Sequence, residues 1–123
     1  LPMDRSGVFD PLFETENGVV FRCASCPYYH VAFGPVILAN DPHGLRTLRR
    51  LLDGLRPQED PRFHLGDRCY HLHTPSGDVG LVFSHEEVEE LRELVQGAVA
   101  MLELDTLITD TLGSDATGSA RER

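Results

Sequence analysis

Two stretches of this chain pass through the same change of hydrophobic period, from alternation to a helical stripe. In the first, Gly18–Cys23 and 27–33 alternate and predict two strands around a turn. Gly34-Pro35 breaks the chain before a third strand at 36–39. Leu45, Leu48, Leu51, Leu52 and Leu55 then recur at the spacing of one helix face. Asp41 is placed to cap that helix, Pro42 suits its first turn, and Gly54 and Pro57 stop it.

The second stretch repeats the plan. Residues 68–74 alternate, Pro75-Ser76-Gly77-Asp78 predicts a turn, and 79–83 continue as a strand. Ser84 and Glu87 form a capping box ahead of a stripe of Val88, Leu91, Leu94, Val95, Ala98, Met101 and Leu102. Gly97 predicts that this helix weakens or ends early. Residues 63–65 predict a short strand, and 104–112, after the second stretch, fits neither period.

The two stretches also align residue by residue. Tyr29-His30-Val31 matches Tyr70-His71-Leu72, and Val36-Ile37-Leu38 matches Val79-Gly80-Leu81. The offset is 41 residues before the turn and 43 after it, so the second turn is two residues longer. This predicts an internal duplication of a strand-strand-helix unit, at about 18–55 and 62–104. The fold class that follows is α+β: an antiparallel sheet with two helices on one face, related by a pseudo-two-fold. The domain is expected to span 18–112, with a flexible segment at 1–17 and a disordered tail at 113–123.

Alternation assigns the faces. Tyr29, Val31 and Phe33 share one side of their strand, and Tyr28, His30 and Ala32 the other. Tyr70 and Leu72 oppose Cys69, His71 and His73 in the same way. With Val31 and Leu72 beneath the helices, His30 and the Cys69/His71/His73 row lie on an open face. That face also receives Ile37 or Gly80 and Val82, so it carries apolar and aromatic groups that call for a cover.

Composition narrows the setting. The chain has 123 residues, 41% of them apolar, enough for one domain with a core that needs no disulfides. No apolar run reaches the length that spans a bilayer, and Leu1 to Phe13 lacks the order of a leader peptide. The net charge of −9 argues against a nucleic-acid partner. All eleven basic residues are arginine, as expected from a GC-rich genome or a salt-adapted cytoplasm. Three cysteines cannot all pair, which fits a reducing, cytoplasmic location.

Those cysteines carry the candidate chemistry. Cys23-Ala24-Ser25-Cys26 occupies a hairpin turn, where two thiolates can reach one ion at about 2.3 Å. A tetrahedral zinc site would be completed by Cys69 with His71 or His73, and His30 is an alternative ligand. The competing reading is three reduced cysteines that pack as small hydrophobes. A redox role expects such a motif at a helix N-terminus, yet its flanks here read as strands. Ser25 and His30 could serve hydrolysis, but no nucleophile-elbow or phosphate-loop pattern accompanies them. Arg46, Arg49 and Arg50 on the first helix oppose Glu86, Glu89, Glu90 and Glu93 on the second. They read as two solvated faces, or as surfaces that attract each other.

The Cys-x-x-Cys, Tyr-His-Val-x-Phe-Gly and Asp-Val-Gly-Leu-Val-Phe-Ser segments resemble small bacterial proteins of the Bacteroidota type, grouped as a domain of unknown function. The resemblance spans about 23–104 and implies a bacterial cytoplasmic protein without implying an activity. Taken together, the residues favour a non-enzymatic module that binds itself or a partner, most simply as a homodimer through the open sheet face. An enzyme using the cysteine and histidine cluster is the rival reading.

Overall fold

The computed structural model describes residues 9–25, 27–74 and 77–117. Four strands form an antiparallel meander in chain order: β1 (Phe9–Thr15), β2 (Gly18–Cys23), β3 (Tyr29–Phe33) and β4 (Val36–Asn40). Helix α1 (Pro42–Asp53) follows, then a single 3-10 turn at Pro61–Phe63. A separate two-stranded sheet pairs β5 (Arg68–His73) with β6 (Gly80–Ser84), and helix α2 (His85–Thr117) closes the chain. The class is α+β as expected, but the strands form two sheets rather than one. The element order β3-β4-α1 recurs as β5-β6-α2, although the helices differ in length, at 12 and 33 residues.

Both predicted caps are formed. The Asp41 carboxylate accepts from Gly44 N at 2.6 Å, with Pro42 in the first turn. Ser84 N donates to Glu87 Oε1 at 2.8 Å, and Glu87 N donates back to Ser84 Oγ at 3.2 Å. Arg68 holds the same Glu87 through two hydrogen bonds, of 3.0 and 2.8 Å. That guanidinium, chiefly, lowers the Glu87 pKa to about 2. The stripes of the two helices fill the core: Leu45, Leu48 and Leu52 from α1, and Val88, Leu91, Leu94, Val95, Ala98, Val99 and Leu102 from α2. They meet Val20, Tyr29, Val31 and Phe33 of the meander and Leu72 and Phe83 of the hairpin.

Three departures from the sequence reading have physical causes. First, α2 does not weaken at Gly97. The ring of Phe13 occupies the space where a Cβ would stand, so the missing side chain lets β1 approach the helix. Second, the N-terminal stretch read as flexible contains β1, which pairs with β2 from Phe9↔Cys23 to Thr15↔Gly18, with a bulge between Pro11 and Phe13. Glu90 of α2 anchors the connecting turn by accepting from Thr15 Oγ1 at 2.7 Å, Asn17 N at 2.7 Å and Asn17 Nδ2 at 2.8 Å. Third, Phe63 ends a 3-10 turn instead of starting a strand, because the Asp60 side chain caps that turn by accepting from Arg62 N at 3.0 Å. Residues 113–117, read as tail, continue α2.

The charged helix faces attract each other at one point, where Arg46 of α1 reaches Glu103 of α2; Arg49 pairs within its own helix with Asp53, and Glu89 pairs with Arg92. The helices are also joined by Arg92. It donates from Nε to Leu52 O at 2.8 Å and from Nη2 to Leu55 O at 2.9 Å, a cation on the carbonyls that end α1.

Candidate functional site

Among the described residues, the expected metal ligands Cys23 and Cys69 lie in different sheets. Cys23 ends β2 in the meander, half-buried, with Sγ 3.7 Å from Ser25 Oγ. Cys69 sits in β5, in the other sheet, at the irregularity between Arg68 and Tyr70. Cys26 lies outside the described residues, as do Pro75 and Ser76 of the predicted turn. His71 Nε2 is 2.6 Å from Phe63 O, and its ring stands edge-on to that of Phe63. His73 is exposed, with its ring against Gly80. Among the described residues, no group of three or more His, Cys, Asp or Glu side chains is arranged to hold a metal ion. His30 lies against Phe21 at 5.1 Å between ring centroids, a cross-strand contact.

The face assignment holds within each strand, but the expected single open face does not form: the Cys69/His71/His73 row belongs to the separate hairpin sheet and His30 to the meander. Tyr29, Val31, Phe33 and Leu72 are buried, while His30 and Ala32 lie half-exposed on the opposite side. Cross-strand register arranges that outer side into two rows. One runs Glu14, Val19, Ala32, Ile37; the other runs Pro11, Phe21, His30, Ala39. Both helices pack on the inner side, so among the described residues no helix or further strand lies over this sheet face. Ile37 is 64% exposed at its margin. The one carboxylate in the two rows is Glu14, at the β1 end.

A second feature could not be read from the sequence. A cleft of about 370 Å³ opens between the end of β4, the first turns of α1 and the hairpin. Leu38, Ala39, Leu48, Leu72, Thr74 and Tyr28 line it, with Asn40 and Asp41 at one end. These residues come from three separate elements, β4, α1 and β5, and the loops beside them, so no spacing or motif connects them. Tyr70 also gains a partner that alternation did not suggest, His85 at the start of α2, with the hydroxyl 3.1 Å from Nδ1.

Comparisons with protein-family models, with curated proteins and with solved structures return no match to this chain. The site is therefore read from its own geometry. No described helix is long and apolar enough to cross a membrane.

Proposed function

We propose that this chain is a non-enzymatic module that self-associates through the outer face of its four-stranded sheet, as a cytoplasmic homodimer. The observation that supports this reading is the pair of outer rows, in which Val19, Phe21, Ala32, Ile37 and Ala39 surround His30 with one carboxylate at the margin. Such a surface loses little by leaving water, because it has few charges to desolvate. Packing it face to face on a second copy is the sheet-on-sheet arrangement that buries both open sides at a spacing of about 10 Å. A stable pair of this kind buries about 1,200–2,000 Å² in total.

Sedimentation velocity at several salt concentrations is the test. The expected result is a dimer at tens of micromolar, whose association strengthens as salt screens the net charge of −9. Ala32→Glu places a carboxylate at the centre of the face and should yield a folded monomer with an unchanged circular dichroism spectrum. A native chain that stays strictly monomeric would sink the proposal, as would an Ala32→Glu dimer of undiminished affinity.

A further inference from the structure

The turn between β3 and β4 has Gly34 at φ 56°, followed by Pro35. Two independent bonds fix which backbone groups face which way. Cys23 N donates to Tyr28 O, and Gly34 N donates to Asn17 O, so the even-numbered residues of β3 exchange their hydrogen bonds with β2. Tyr29, Val31 and Phe33 must then bond to Asn40, Leu38 and Val36 across the β3–β4 register. The N–H and C=O groups of Ile37 and Ala39 are left pointing away from β3. Among the described residues no strand lies hydrogen-bonded on that side, because β4 ends the meander. The edge also lacks the usual guards: Val-Ile-Leu-Ala-Asn holds no charge, proline or bulge.

The cleft borders this edge. Its walls are Leu38 and Leu48 on one side and Leu72 and Thr74 on the other, and its one formal charge is Asp41. On the hairpin side, Thr74 N donates to Val79 O, and the segment at Pro57–Gln58 pairs with β5 at the opposite end, near Cys69 and Tyr70. The space left beside β4 is thus bounded by polypeptide on both sides.

We propose that the β4 edge accepts one extended segment of a different polypeptide as an added strand, with an apolar side chain in the cleft and a basic residue beside Asp41. Ile37 and Ala39 supply the ladder: one donor and one acceptor each, at the spacing of alternate residues on a strand. Leu38, Leu48 and Leu72 supply a pocket for a side chain of that strand. Charge selects the occupant. Asp41, the one formal charge in the lining of the cleft, and the net charge of −9 both favour a basic segment over an acidic one. This inference concerns the edge of the sheet and does not depend on self-association through its outer face.

A library of twelve-residue peptides displayed on phage, selected against the intact chain, provides the probe. Enriched sequences should alternate apolar residues and carry arginine or lysine near one end. Amide hydrogen exchange should show Ile37 and Ala39 exchanging fast in the free protein, while Val31 and Leu38 are protected. Addition of a synthetic enriched peptide should slow both. Ala39→Pro deletes one ladder donor at a position where an edge strand tolerates proline, and should weaken binding at least tenfold. N-methylation of alternate residues in the peptide gives the same loss without altering the protein, so a misfolded variant does not decide the matter. The proposal is overturned if no peptide is enriched above an unrelated control protein. It is also overturned if enriched peptides leave the exchange of Ile37 and Ala39 unchanged, or if those amides are already protected in the peptide-free protein. A monomeric chain that binds peptide at this edge would refute the homodimer while leaving the present inference intact.

Discussion

Gly97→Ala tests the docking of β1 on α2 through a change of sign. Replacing a glycine inside a helix by alanine ordinarily gains about 1 kcal/mol, from backbone entropy and propensity. At Gly97 the new Cβ would lie 2.5 Å from both Cδ2 and Cζ of Phe13. Carbon atoms pack at about 3.5–4.0 Å, so the methyl would overlap the ring by at least about 1 Å. Overpacking of this kind costs about 1–3 kcal/mol. The ring is half-buried and belongs to a strand paired along its length, so it cannot swing aside as a single flexible atom would. The two effects together leave Gly97→Ala about 0–2 kcal/mol less stable than the native chain. With Phe13 replaced by alanine the overlap is gone, and the same substitution should now stabilise by about 1 kcal/mol. Urea unfolding of the four chains of this double-mutant cycle measures the coupling, expected at about 1–3 kcal/mol. Equal stabilisation by Gly97→Ala in both backgrounds would show that Phe13 does not sit on Gly97, and the account of β1 would fail with it.

Further outcomes follow from the caps and the core. Glu87→Gln removes the carboxylate shared by Arg68 and the Ser84 cap, and should cost about 1–2 kcal/mol in thermal or urea unfolding at pH 7. Because the folded-state pKa of Glu87 is depressed to about 2, its stabilisation is fully present above the ordinary carboxylate value. It is lost as pH falls from about 4.5 toward 2, and the pH dependence of Glu87→Gln should be flatter across that window. Arg92→Ala removes the guanidinium that bridges the Leu52 and Leu55 carbonyls, which keep Leu55 N and Arg56 Nη1 as donors, and should destabilise by about 0.5–1.5 kcal/mol, whereas Arg49→Ala, on an exposed pair, should change stability by no more than about 0.5 kcal/mol. Leu48→Ala opens a cavity beneath the β4 cleft and should cost about 2–5 kcal/mol, measurable as a lowered urea midpoint at constant slope.

The amino-acid sequence by itself determined the local structure wherever a short stretch carried its own cause. Asp41-Pro42 and Ser84/Glu87 start their helices because their capping partners lie three residues away. Tyr29, Val31 and Phe33 face inward because strand alternation requires it once one of them is buried. The apolar outer face was legible for the same reason, as the complement of the buried set. Only the tertiary structure decided what depends on distant partners. Gly97 reads as a helix breaker until the Phe13 ring, from the far end of the chain, is found in its place. Phe9–Thr15 has no strong periodicity of its own and becomes a strand through β2 and α2. The three cysteines suggested a shared site by type and spacing, yet pairing places Cys23 and Cys69 in different sheets, which no spacing rule reports. The free β4 edge and the cleft beside it belong to the same category. Whether a strand ends a sheet is a property of what lies beside it, and nothing within Val-Ile-Leu-Ala-Asn records that neighbour.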